Sequence, residues 1–222
     1  MKKLFITLFA ALAFCTANSQ TLHVALGTSH SNLDWTFLVL DGFKEKQYRK
    51  ASIGYAANVG IEYLDRKLLS LSSDVYFYKS GGQYTDAEKN ANFVFQAPSK
   101  VEITYLSLGT CLNINPLNDK FKLQFQLGPR VDFMVKGQKD APLSWSDDDG
   151  GLAKINVGLT GGIGLYYQAG GNMTLGIKGL FLQRFIKLAD LEPRLNGQFE
   201  YGGASATEQT VLLNLSAGFK LK

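Results

Sequence analysis

The side chains able to do chemistry in this sequence fall into three sets. The first is Ser29-His30-Ser31-Asn32 with Asp34 close behind. It holds a hydroxyl nucleophile, an imidazole to take its proton and a carboxylate to orient the ring, the parts of acyl transfer. Nothing nominates an oxyanion site beside it, and His23 is the only other histidine. A polar strand end is the expected role. The second set is Asp147-Asp148-Asp149-Gly150-Gly151. It lacks the alternating ligands and distal Glu of a calcium loop, so a solvated acidic loop is expected. There is no phosphate loop, no Cys-x-x-Cys and no His-Glu-x-x-His. No catalytic residue, cofactor or metal site is assigned.

The third set is Glu62, Asp74 and Asp132 against Lys122, Arg130, Lys178 and Arg184. Their meaning depends on the elements that carry them. Between residues 121 and 135 one face reads Phe121, Leu123, Phe125, Leu127, Pro129, Val131, Phe133, Val135. The other reads Lys122, Gln124, Gln126, Gly128, Arg130, Asp132, Met134. A period of two is a strand signature. It recurs over 21–30, 51–64, 68–79, 105–115, 152–168, 173–186 and 210–222, which makes eight strands. Short connections at 65–67, 116–120 and 169–172 alternate with long ones at 31–50, 80–104, 136–151 and 187–209. All short turns and both ends of the strand array then share one side, and all long loops the other. That is the layout of an all-β, eight-stranded antiparallel up-and-down transmembrane β-barrel, with periplasmic turns and external loops.

Which face meets lipid follows from the polar face. It reads Ser52, Gly54, Ala56, Asn58, Gly60, Glu62 in the second strand and Asn156, Gly158, Thr160, Gly162, Gly164, Tyr166 in the sixth. A water-facing surface would be rich in Lys and Glu, whereas small uncharged groups suit a crowded interior. The apolar face is therefore expected outward. Outward aromatics gather near strand ends: Tyr63, Phe121, Tyr167 and Phe219 on the turn side, Phe77, Phe133 and Phe181 on the loop side. Interfacial girdles have this form. Inward, the charged set is expected to pair in layers: Glu62 with Lys122, Asp74 with Arg130 or Lys178, and Asp132 with Arg184. Unpaired charges there would be costly. Cys111 also faces the lumen, as a small filler rather than a nucleophile.

The start of the chain has a leader pattern: Lys2-Lys3, an apolar run from Leu4 to Phe14, and Ala17-Asn18-Ser19. A signal peptide over 1–19, cleaved after Ser19, is expected, leaving a barrel domain over 20–222 whose one remaining cysteine is Cys111. Phe14 before Cys15 argues against a lipoprotein. Net charge is +4 without Lys/Arg runs, which argues against a nucleic-acid partner. Aromatics at 12% and 23 glycines exclude disorder and coiled coil.

Several stretches resemble the PorT-like outer-membrane β-barrel family of Bacteroidota. They are Ala51-Ser52-Ile53-Gly54 through Tyr78-Lys79-Ser80-Gly81-Gly82, Val24-Ala25-Leu26-Gly27 with Ser31-Asn32-Leu33, and Gln126-Leu127-Gly128-Pro129. Gly161-Gly162-Ile163-Gly164-Leu165 and Leu215-Ser216-Ala217-Gly218-Phe219 complete the set. Ile103-Thr104-Tyr105 departs from the family's frequent Ile-Pro, and Leu221-Lys222 runs past the usual terminal aromatic. The resemblance implies an outer-membrane barrel of mostly unassigned function, with some relatives serving secretion or gliding.

The expected function is a non-enzymatic, closed-lumen barrel in the outer membrane. It would contact lipid or lipopolysaccharide and other envelope proteins, with oligomeric state open. Apolar segments 35–40 and 93–95 fall in the long loops as candidate binding surfaces. Two alternatives remain. One is a lipid-modifying enzyme, since Ser29-His30-Ser31-Asn32 faintly resembles a His-x-Ser-Asn stretch of a lipid A deacylase barrel. The other is a soluble periplasmic ligand-binding barrel with its apolar face inside.

Overall fold

The computed structural model describes residues 20–38, 44–64, 66, 68–89, 99–137, 153–191, 194–196, 199–201 and 204–221. The expected leader, the acidic run at 147–149 and the segment 93–95 lie outside the described residues.

Among these, eight long strands form the wall: β1 (Gln20–Leu38), β3 (Lys50–Tyr63), β4 (Leu69–Gln83), β5 (Lys100–Asn118), β6 (Phe121–Lys136), β7 (Ile155–Gly170), β8 (Met173–Arg184) and β12 (Ala204–Leu221). Each pairs antiparallel with the next, and β12 pairs with β1 to close the sheet. Short strands β2 (Lys44–Gln47), β9 (Ala189–Leu191), β10 (Arg194–Asn196) and β11 (Phe199–Tyr201), with helix α1 (Asp86–Lys89), lie within three of the long connections. Closure leaves no exposed sheet edge in the wall, the condition for strands to cross a bilayer.

Following directly paired residues from Val211 through Phe181, Gly161, Leu127, Leu112 and Leu71 leads to Tyr63. Its neighbour Glu62 pairs with Thr21, at the foot of β1. A circuit that begins high on β12 therefore ends near the turns, so the strands are strongly tilted.

The apolar face points outward. Leu26, Ile53, Leu127, Ile177, Leu213 and Leu215 are all more than half exposed. This removes the soluble-barrel alternative, which needs them inside. Along β12 the outward apolar run lasts from Val211 to Leu221. At about 3.3 Å per residue and a tilt near 40°, that covers roughly 25 Å of depth, a hydrocarbon band. At its turn-side edge Phe121 packs on Tyr167 with centroids 5.3 Å apart, and at its loop-side edge Tyr55 stacks on Phe77 at 5.9 Å.

The strands run further toward the loop side than alternation of apolar-outward residues indicates. β1 continues to Leu38, β5 starts at Lys100 and β12 at Ala204. Segment 35–40 is thus corrected in part: residues 35–38 are strand, and Trp35 is a buried core residue rather than a loop surface. The reason is a reversal of pattern. Above Leu26 the outward positions of β1 become Thr28, His30, Asn32 and Asp34, while the inward ones become Leu33 and Trp35. Outside lipid, water rules the outer face and apolar groups turn in. Leu33, Trp35, Tyr48, Tyr84, Val101 and Ile103 form a core inside this extension.

Candidate functional site: the polar lumen

Alternation sends every second side chain of the wall inward, where a narrow interior must satisfy each polar group. Three layers result.

Nearest the turns, Lys122 of β6 reaches Glu62 of β3, with Nζ to Oε1 2.5 Å. Ser70 Oγ also donates to Glu62, as does Gln124 Nε2 at 3.3 Å. Tyr166 donates its hydroxyl to Gln124 at 3.3 Å and lays its ring over Gly164 and Gly176. A Cβ at Gly176 would come within 2.4 Å of that ring, so glycine is needed for the close approach.

In the middle, Asp74 of β4 lies 2.7 Å from His23 Nε2, 2.9 Å from Asn58 Nδ2 and 3.9 Å from Lys178 Nζ. Lys178 also sits 5.9 Å from the centre of the Tyr76 ring. Cys111 is buried nearby, 3.8 Å from Gln126 Nε2.

Toward the loops, Arg130 donates to Asp132 at 2.6 Å and to Tyr78 at 3.0 Å. Arg184 lies 3.4 Å from Asp132 and donates to Glu208 at 2.8 Å and Tyr105 at 2.9 Å. Its guanidinium stacks 4.0 Å above the Tyr105 ring. Thr210 donates to Glu208 at 2.9 Å.

All seven charged residues singled out by register face the lumen. Glu62 meets Lys122, Asp74 meets Lys178, and Asp132 meets Arg184. Arg130 pairs with Asp132 rather than Asp74, because residues two apart on one strand share a face and its guanidinium turns toward the loops. Two partners were missed. Glu208 stands beyond the last apolar-outward residue of β12, in a stretch read as loop. His23 sits in a polar position of a strand whose short alternation gave it no assigned partner. With Glu208 included, four carboxylates of the described lumen face four Lys and Arg side chains, and His23 adds an imidazole beside Asp74.

A cavity of about 120 Å³ lies in the turn-side half, lined by His23, Glu62, Lys122, Gln124, Tyr166 and Lys178 among others, and reaches Gly171 and Asn172 at the rim. Above the Asp74 layer, Arg130, Tyr78, Tyr105 and Arg184 are fully or almost fully buried, and the apolar core of the extension stands beyond them.

The acyl-transfer set does not assemble. His30 is exposed on the outer face, while Ser31 is buried on the inner one, bonded to the Gly81 amide at 2.8 Å and donating to the Gly81 carbonyl at 3.0 Å. Adjacent strand residues point to opposite faces, so no proton can pass between them. Asp34 faces outward and pairs with Lys46 at 3.2 Å. Among the described residues no group of three His, Cys, Asp or Glu side chains could hold a metal ion.

A family model described as outer membrane protein beta-barrel domain matches residues 11–183. The fold is similar to that of the outer membrane protein OprG from Pseudomonas aeruginosa, with TM-score 0.56 and 13% identity over 90% of this chain and 95% of that one. Neisserial surface protein A is similar at TM-score 0.46 and 14% identity, over 90% and 97%. The attachment invasion locus protein Ail of Yersinia pestis, in complex with a heparin analogue, follows at 0.43 and 13%, over 91% and 99%. No curated protein matches the sequence.

Proposed function

This chain belongs to the outer membrane protein beta-barrel domain family, and on that premise we propose that it is a non-conducting, non-enzymatic barrel acting through its loop-side extension. The observation that carries this reading is the upper layer of the lumen. There Arg130, Asp132, Arg184 and Glu208 lock together with Tyr78 and Tyr105, and an apolar core stands above them. An ion entering from the turn side would have to break several charge-assisted bonds and then cross apolar packing. Membership of the PorT-like branch, and with it a part in secretion or gliding, is supported by the stretches quoted above and belongs to this proposal. So do contacts with lipopolysaccharide and other envelope proteins, and export by a leader over 1–19.

Single-channel recording in planar bilayers tests it. No steady conductance is expected from the wild-type protein. Stable openings with graded solute selectivity would overturn the closed-lumen reading.

A further inference from the structure

Just above the apolar band the outer face of β4, β5 and β6 carries a net positive charge, whereas Asp34 and Lys46 on β1 and β2 pair with each other. On β4, β5 and β6 the directly paired residues Phe77, Leu106 and Phe133 form an outward apolar row. Two positions further toward the loops Lys79 pairs with Thr104, and a bulge in β6 sets Lys136, three positions past Phe133, on the other side of Thr104. Lys100 stands above them on β5, and Glu102 lies between the lysines, 2.6 Å from Lys79 and 2.5 Å from Lys100. One carboxylate thus holds two ammonium groups in place. Lys136 is exposed and pairs with no carboxylate among the described residues. The cluster carries a surplus of two positive charges. On the opposite wall the outward positions just above the apolar band are His30 and Asn32 on β1 and Gln209 and Thr207 on β12.

We infer that Lys79, Lys100 and Lys136 form a binding site for the phosphate groups of lipid in the outer leaflet. Position and charge both carry this. The cluster stands just beyond the last outward apolar residues of these strands, Phe77, Leu106 and Val135, where acyl chains end and headgroups begin. Lysine stems lie along apolar surface while their ammonium groups stay at the polar level. A phosphorylated headgroup whose chains lie against Phe77, Leu106 and Phe133 brings its anion to these lysines. The short fixed pairs through Glu102 keep two of the three cations from folding away. The inference rests on the proposed orientation, with the long loops outside the cell.

The test is thermal unfolding of the full chain, followed by gel mobility, in vesicles of zwitterionic phosphatidylcholine with and without bisphosphorylated lipid A. Lipid A is expected to raise the midpoint of the wild type by several degrees, and lipid A stripped of phosphate to raise it little. The K79Q/K100Q/K136Q variant is expected to lose that increment, while K44Q/K46Q keeps it. A triple variant that retains the full increment overturns the site. So does an equal rise from inorganic phosphate added to phosphatidylcholine vesicles, which would mark a free-anion effect. If the triple variant does not insert, K136Q alone decides: an undiminished increment counts against the site, a reduced one for it. A wild-type chain that never acquires a folded, heat-modifiable band in any vesicle would instead refute the membrane-barrel reading itself.

Discussion

Lys122 spans the lumen to Glu62, three strands away around the wall, with 2.5 Å between Nζ and Oε1. Both groups border the turn-side cavity, so the pair crosses the lumen beside that space. Removing one partner leaves the other charge inside a polar but confined space. Lys122→Met is expected to cost about 2–4 kcal/mol, and K122M/E62Q less than the sum of its single changes. Urea unfolding in lipid vesicles, run as a double-mutant cycle, measures this. Additive costs would show that water already screens the pair.

Arg184 holds more partners than any other lumen base, with Asp132, Glu208, Tyr105 and Tyr78 within reach. Arg184→Met is therefore expected to destabilise more than Lys122→Met, by about 3–5 kcal/mol, since it takes from Glu208 its paired cation and from Asp132 the second of its two. Adding E208Q should recover part of the loss. The same unfolding assay ranks the three proteins.

Ser31 and His30 should respond independently. Ser31→Ala removes both bonds to Gly81, a residue at φ +152° whose added Cβ would meet the Val101 carbonyl at 1.9 Å. The expected cost is about 1–2 kcal/mol. His30→Ala, on the outer face, should stay within about 0.5 kcal/mol. Lipid A acyl content in cells carrying either variant should match wild type; a loss of acyl cleavage with both would revive the enzyme alternative.

Tyr48 occupies the left-handed region at φ 65°, where a side chain is strained. Its ring is buried against Trp35 and Tyr84, with centroids 6.1 and 5.0 Å away. Tyr48→Gly relieves about 1 kcal/mol of backbone strain but empties the core of the extension, at about 3–5 kcal/mol. Net destabilisation is expected. Protease nicking of the loop side, with the membrane band intact, is the measurement.

Glu102 supplies a pH dependence. Partial burial works to raise its pKa, but hydrogen bonds and charge from Lys100 and Lys79 outweigh that and hold it below the ordinary value. A depressed carboxylate stabilises the fold fully above its unfolded pKa and loses that contribution as pH falls through the folded one. The exposed setting keeps it under about 1 kcal/mol. The acid side of the stability profile should flatten slightly in E102Q, and an unchanged profile would show the pairs contribute nothing.

Strand type, inward and outward faces, and the side shared by the turns were all legible because alternation is local. The same parity placed Glu62, Asp74, Lys122 and the other lumen charges. Which wall each would meet depends on tilt and closure, which only the whole sheet fixes, so Arg130 could not be assigned between Asp74 and Asp132. Glu208, Leu33 and Trp35 escaped for a different reason. They belong to strand ends beyond the lipid band, where the solvent outside changes and an apolar-outward pattern stops marking the strand. Ser31 and His30 were adjacent in sequence and parted in space for the reason that made the strands readable.

The reversal of pattern within β1 constrains how the molecule is built. Leu26 requires acyl chains around it and Leu33 requires their absence, yet they lie seven positions apart on one continuous strand. Leu33 and Trp35 find their packing partners on β4 and β5 and in the β2–β3 corner only on the far side of the bilayer. The core of the loop-side extension is therefore expected to seal only after the hairpins have crossed the bilayer, and its packing then opposes retreat of any single hairpin.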